Sequence, residues 1–182
     1  MATIIQTQGL TREFDTPGGV VHALNGVDLE IEKGRLTILR GRSGSGKTTL
    51  LNMLGALDRP TKGSVWFNGN DIAQMSDARR DELRRKDFGF VFQSTALIGM
   101  MTAYENIEFL LRVYGMKSAI QRKKRAEECL ALVGLSKRMN HMPSEMSGGE
   151  QQRVAIARAM AHKPQIIYAD EPTAELDTAM AL

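Results

Sequence analysis

The residues best suited to chemistry stand together in Gly41-Arg-Ser-Gly-Ser-Gly46-Lys47-Thr48, which matches the pattern G-x-x-x-x-G-K-[ST]. Glycines let successive backbone N–H groups turn inward as a nest for an anion, and a helix starting there adds the positive end of its dipole. Lys47 would place a point charge at the β- and γ-phosphates of a nucleotide, and the Thr48 hydroxyl is a ligand for Mg²⁺. The alternative is a chance glycine-rich turn. The predicted context, an apolar strand before and a helix after, favours the phosphate loop.

A second signal lies at Ile166-Ile-Tyr-Ala-Asp170-Glu171, an apolar run ending in adjacent carboxylates. A strand end beside a phosphate loop can aim Asp170 at Mg²⁺, directly or through water, and Glu171 can orient or deprotonate an attacking water. Alone, such a run reads equally as a strand meeting a solvated turn. Paired with the loop at 41–48, it points to phosphoryl chemistry.

The elements that must position these residues follow from periodicity. Val27, Leu29 and Ile31 alternate with Asp28, Glu30 and Glu32, so a strand is predicted there. Leu36-Thr-Ile-Leu39 reads as a strand entering the loop, and Lys47–Leu54 as the helix leaving it. Thr16-Pro17-Gly18-Gly19 and Gly34 supply turns. Ile107, Leu110, Leu111 and Tyr114 share a helix face, as do Ala126, Cys129, Leu130 and Val133. A helix is predicted from Gly148-Gly149 through Ala161, stopped by Pro164, before a buried strand over Ile166–Ala169. The predicted class is α/β.

Composition agrees with a soluble globular chain: 42% hydrophobic and 25% charged residues exclude disorder and collagen. A net charge of +3 from 24 basic and 21 acidic residues demands no nucleic-acid partner. Cys129 is the only cysteine, which excludes an internal disulfide or a four-cysteine zinc site and fits a reducing cytosol. No signal peptide is visible at the N-terminus, and the longest charge-free stretch, Phe88–Tyr104, is too short and polar to span a bilayer. Membrane association is therefore expected through a partner.

Five motifs now stand in order: the loop at 41–48, Phe92-Gln93, Met146-Ser147-Gly148-Gly149-Glu150-Gln151-Gln152-Arg153, Asp170-Glu171, and Ala174-Glu175-Leu176-Asp177. Together they resemble the nucleotide-binding subunit of ABC transporters over essentially the whole chain. Phe88-Gly-Phe-Val-Phe-Gln93, Thr102-Ala-Tyr-Glu-Asn106 and Gln151-Gln-Arg-Val-Ala-Ile-Ala-Arg-Ala159 resemble its lipoprotein-release, macrolide-export and cell-division group.

The resemblance implies roles for named residues. Gly41, Arg42, Ser43, Gly44, Ser45, Gly46, Lys47, Thr48 and Thr49 would cradle the phosphates of ATP. Thr48, Gln93 and Asp170 would surround Mg²⁺, with Lys47, Gln93 and Glu171 as the catalytic set. Ser147, Gly148 and Gly149 would meet the γ-phosphate of a nucleotide held mainly by a second ATPase subunit, consistent with bare N–H groups at a helix start. A simple helix cap by Ser147 is the alternative. Phe14 falls where the family stacks adenine on an aromatic ring, or is a core residue.

Further implications concern organisation. Residues 1–182 would form a single P-loop ABC ATPase domain, with an antiparallel β part near the N-terminus. Residues 1–93 and 151–182 would make the nucleotide-binding core, and 94–150 a helical subdomain. ATP would close a head-to-tail homodimer that drives a membrane permease subunit from the cytoplasmic face of the membrane, with the ATPase peripheral and no direct nucleic acid contact.

Departures from the family also carry expectations. Glu150 replaces a commoner Gln, and Gly99 a frequent Pro. No histidine follows Asp177, so the family's last strand and switch histidine are expected to be missing and the C-terminal part truncated. Hydrolysis is accordingly expected of a longer form rather than of these 182 residues alone. The rivals are an ABC-type ATPase acting on DNA or the ribosome, and a nucleotide-dependent regulatory module without turnover. Against the first, the 100 positions from Lys47 to Ser147 leave no room for a long coiled coil.

Two basic clusters, Arg79–Lys86 and Gln121–Arg125, read as solvated helix faces, or as contacts to anionic headgroups or nucleic acid. Most of the 11 methionines read as core filler, although Leu97-Ile98 and Met100-Met101 lie where the family receives permease helices.

Overall fold

The computed structural model describes residues 2–173 and divides after Arg84 into two compact units. In the first unit, β1 (Thr3–Thr16) and β2 (Gly19–Glu32) form a long antiparallel hairpin closed by Pro17-Gly18. β3 (Lys62–Phe67) pairs with the other edge of β1, and the short β4 (Asn70–Asp71) completes the order β2-β1-β3-β4. The predicted antiparallel part is therefore present, with Val27, Leu29 and Ile31 on the less exposed face of β2.

Gly9 explains a bulge in β1. Its φ of +56° suits glycine, its N–H donates to Asp28 Oδ1 at 2.6 Å, and the register with β2 shifts between Thr7 and Leu10. A Cβ on Gly63 would come within 2.3 Å of the Gly9 carbonyl, so the two backbones approach this closely only because Gly63 has no side chain. Ile5, Leu10, Val65 and Phe67 line the buried side of this sheet. The helix α1 (Lys47–Leu54) buries Leu50, Met53 and Leu54 and has the predicted bounds.

Leu36–Leu39 corrects the sequence expectation: it is not a strand, and Leu36 and Ile38 are 88% and 64% exposed. A strand exists only by laddering to a partner, and neither edge of the four-stranded sheet takes this run. Apolar composition alone supplies no partner.

α2 (Asp77–Lys86) follows, then the second unit. There β5 (Phe88–Val91) and β6 (Ile166–Ala169) pair in parallel, Phe88 opposite Ile166 and Val91 opposite Ala169. The connection between them holds α3 (Ala103–Val113), α4 (Ala119–Leu132) and α5 (Gly148–Met160). Strand β6 is less enclosed than predicted. Only Tyr168 is buried, because the strand has a single neighbour among the described residues.

The three helices pack around Ile107, Leu111, Ala126, Cys129 and Leu130, from the stripes that periodicity marked, together with Val154 and Ala157 of α5. α5 lies directly on β5: a Cβ at Gly89 would sit 2.4 Å from the Ala159 carbonyl. Thr102, Ser118 and Ser147 cap α3, α4 and α5 through their hydroxyls.

The basic clusters correct a second expectation. Arg80 is buried and donates to the carbonyls of Ala56 and Asp58 past the end of α1, where Arg84 also donates to Ala56. Arg125 donates to Met160 and Ala161 at the end of α5, and Arg122 to Met116 and Lys117. These arginines meet leftover backbone acceptors instead of forming one solvated face.

His162 Nε2 lies 3.0 Å from the Phe88 carbonyl, so that nitrogen carries the proton, and the ring packs 4.1 Å from Tyr114. Burial holds its pKa below the ordinary 6.5. The folded state then binds fewer protons than the unfolded chain between the two pKa values. Stability should be fully present above about pH 6.5 and decline as pH falls through that window. Thermal midpoints of His162→Gln should show a flatter dependence from pH 7 to 5 than the parent. Leu111→Ala, in the centre of the helical core, should cost about 2–5 kcal/mol in urea unfolding.

Candidate nucleotide site

The loop before α1 has a shape that only glycine permits at key points. Gly46 has φ +87°, and a Cβ there would lie 2.3 Å from the Ala23 carbonyl on β2. Gly44 has φ +77°, and a Cβ on Gly41 would sit 2.6 Å from Ser45 Oγ. Ser45 N–H donates to the Arg42 carbonyl at 3.2 Å, closing the turn. Lys47 Nζ donates to the Gly41 and Arg42 carbonyls, both at 2.9 Å, so the loop is wrapped around the ammonium. Arg42 and Ser43 are exposed, Thr48 is exposed at the start of α1, and Thr49 is half-buried.

α1 differs from the other capped helices: no side chain caps it, and its first turn holds no acidic residue. Backbone donors at a helix start, a lysine and a cradle without Cβ atoms form a donor set fitted to phosphate. At the far end, Arg80 and Arg84 hold the chain just past α1, and Asp58 pairs with Arg12 at 2.8 Å. The Arg12 guanidinium lies 4.5 Å over the Phe14 ring, which is 38% exposed near the hairpin end. Phe14 is therefore not a core residue.

In the second unit, parallel pairing brings the carboxyl ends of β5 and β6 together, as open α/β sheets do around their ligand sites. Gln93 follows β5, Asp170 follows β6, and Asp170 N–H donates to the Val91 carbonyl at 2.9 Å. Gln93 Nε2 donates to Glu171 Oε2 at 3.1 Å. Glu171 has φ +49°, the left-handed region, which for a non-glycine residue stores about 1–3 kcal/mol. Phe90 stacks on Phe92 at 5.7 Å and lies against Tyr168 at 5.6 Å, bracing both strands. Oxygen donors from carboxylate and amide groups, as Asp170 and Gln93 offer, suit Mg²⁺.

Ser147, Gly148 and Gly149 form a third cluster at the start of α5. Ser147 Oγ accepts the Glu150 N–H at 3.2 Å, and Glu150 Oε2 accepts the Ser147 N–H at 2.9 Å. The cap read from the sequence as an alternative is thus present, with glycines at the first two helical positions. Ala174–Asp177 lies outside the described residues.

Sequence reasoning missed the supports. Asn106 is buried and donates to the Ile98, Met101 and Thr102 carbonyls while accepting the Ile98 N–H, which fixes the segment before α3. Arg158 donates to the Thr95 and Ala96 carbonyls just after Gln93. Between these anchors Met100 projects, 87% exposed. Their only sequence signal is residence within phrases already marked, at 102–106 and 151–159.

The family profile described as ABC transporter matches residues 24–174. An ABC transporter ATP-binding protein of Thermotoga maritima is 48% identical over 178 residues, which cover 98% of this chain and 76% of that protein. The macrolide export ATP-binding/permease protein MacB of Wolinella succinogenes is 45% identical over 96% of this chain, which spans only 27% of that relative's length. Among solved structures, the ATP-binding cassette MJ0796, of Methanocaldococcus jannaschii, superposes with a TM-score of 0.91 at 41% identity. That dimeric post-hydrolysis structure, bound to ADP and Pi, covers 97% of this chain, and the chain covers 77% of it.

Gly46→Ala should lose the loop conformation. A methyl group cannot fit against the Ala23 carbonyl at φ +87°, and the expected cost is at least about 1–3 kcal/mol. Urea unfolding and the amide hydrogen exchange of 41–48 would register it together.

Proposed function

This chain belongs to the ABC transporter family as an ATP-binding cassette, and from that premise we propose that it binds MgATP on its loop, closes as a dimer and hydrolyses ATP to drive a membrane permease. One observation carries the reading: the glycine cradle is folded around Lys47, with an uncapped helix start behind it.

Gly41, Arg42, Ser43, Gly44, Ser45, Gly46, Lys47, Thr48 and Thr49 hold the phosphates, and the exposed ring of Phe14, backed by Arg12, takes the adenine face. Lys47 exchanges its loop carbonyls for phosphate oxygens. Thr48, Gln93 and Asp170 hold Mg²⁺, which when bound draws negative charge off the phosphates. Glu171 accepts a proton from the attacking water. Gln93 holds that carboxylate in position through its amide N–H. Ser147, Gly148 and Gly149 present the start of α5 to the γ-phosphate of the nucleotide on the second subunit. Positioning and fixed charge supply most of the rate, as phosphoryl transfer requires little covalent help.

Residues 1–182 act as a single ABC ATPase domain, with 94–150 as the helical subdomain between core segments 1–93 and 151–182. No helix among the described residues is long and apolar enough to cross a membrane. We infer from its family that the chain works as a peripheral subunit at the cytoplasmic face, with a permease as partner and a second copy as its dimer mate. The relative whose name joins export ATPase to permease supports that pairing.

In the full-length protein, Lys47→Ala should weaken binding of a fluorescent ATP analogue by about a hundredfold or more, since a charge-assisted contact is removed with its loop anchor. Unchanged affinity would remove the loop from the site. Glu171→Gln should bind ATP normally and lose about 10²-fold or more in turnover, the scale of a lost general base. Near-normal phosphate release would contradict its role.

A further inference from the structure

Glu150 sits at the third position of α5, one turn into the helix end assigned above to a phosphate of the partner-held nucleotide. A carboxylate is an odd choice there. As a cap it satisfies the Ser147 N–H, but Gln satisfies a capping box equally well. What Glu adds is a negative charge at an end that must receive another negative charge.

Arg138 answers that charge. Its Nε donates to Glu150 Oε1 at 3.0 Å, while Oε2 remains on the Ser147 N–H, so each carboxylate oxygen has its own donor. The arginine is itself held. Its NH1 lies 3.1 Å from His141 Nε2, and a guanidinium is donor only, so that ring nitrogen must accept. The surrounding segment is tied back by His141 N–H to the Arg138 carbonyl and by Ala103 and Tyr104 N–H to the carbonyls of His141 and Met139 at the start of α3. The Ser147 N–H, with the Arg138 charge behind it, holds the Glu150 carboxyl below the usual carboxylate range.

We propose that Arg138 is a positioning residue for ATP-driven closure: it cancels the Glu150 charge at the phosphate-facing end of α5 and holds that carboxylate in the cap shaping Ser147, Gly148 and Gly149. This inference rests on the assignment of Ser147–Gly149 to phosphate. A role in folding alone does not account for the pair, because partly exposed ion pairs of this kind contribute little stability. Without the arginine, an unbalanced carboxylate would face the incoming γ-phosphate. With both charges removed, the cap and its donors would stand as before.

The test is a charge-rescue cycle in the full-length protein carrying Glu171→Gln, so that ATP is not consumed. Sedimentation equilibrium at saturating MgATP gives the dimer dissociation constant, and a fluorescent ATP analogue gives binding to the dilute monomer. Arg138→Met should raise the dimer constant about tenfold, equivalent to one charge interaction at a partly screened site. Monomer binding should not change. Glu150→Gln alone should stay within about threefold of the parent, and Arg138→Met with Glu150→Gln should return to that level. The single-variant defect should also shrink from about 50 mM to about 500 mM KCl, where screening shortens to a few ångströms.

An Arg138→Met constant within about twofold of the parent overturns the proposal, as does a defect that persists in the double variant. Ser147→Arg separates the underlying assignment. If it leaves dimerisation intact, the phosphate role of this helix end fails and Arg138 with it. If it abolishes dimerisation while Arg138→Met does nothing, only the role of Arg138 fails.

Discussion

Backbone carbonyls left over at helix ends and in loops are the demand around which this molecule is arranged, and arginine guanidinium groups meet it. Arg80 and Arg84 take Ala56 and Asp58 beyond α1, and Arg59 takes Ala73 and Met75 before α2. Arg125 takes the end of α5, and Arg158 the loop after Gln93. A buried acceptor without a donor costs about 1–3 kcal/mol, and the planar fork of arginine can serve two acceptors at once. The clamps of Arg80 and Arg84 fix the chain leaving α1, which starts at Lys47, and that of Arg158 fixes the loop leaving Gln93. The candidate chemistry therefore stands on rigid supports even where its own residues are exposed.

The two helix starts proposed to face phosphate solve opposite problems. α1 leaves its start without a side-chain cap and brings in Lys47, so positive potential accumulates. α5 is capped by Ser147 and Glu150, with Arg138 balancing the carboxylate. The first arrangement suits an anion held by one subunit alone. The second keeps its donors ordered while limiting repulsion, which suits a surface that must meet an anion carried by another subunit.

Helix positions were legible because a 3.6-residue period and capping residues act within one turn. Lys47–Leu54 and the start of α5 at Ser147 agree with the sequence, as do the helix stripes through Ile107, Leu111, Cys129 and Leu130. Strands were legible only where alternation met a partner. Val27–Ile31 pairs with β1, whereas the equally apolar Leu36–Leu39 pairs with nothing among the described residues. The basic clusters were misread for the same reason: the acceptors of Arg80 lie more than twenty residues away, and those of Arg125 thirty-five or more.

By itself, the sequence determined the phosphate-loop motif, the order of the motifs and the membership of the family. Those depend on residue types at short fixed spacing, and short spacing survives without a fold. Tertiary structure decided which glycines have no alternative, since the Ala23 carbonyl beside Gly46, the Gly9 carbonyl beside Gly63 and the Ala159 carbonyl over Gly89 each exclude a side chain. It also decided that Gln93 meets Glu171 across 78 residues and that Arg138 meets Glu150 across 12. Such contacts are set by how strands pair and helices pack, a geometry that no local pattern of residues encodes.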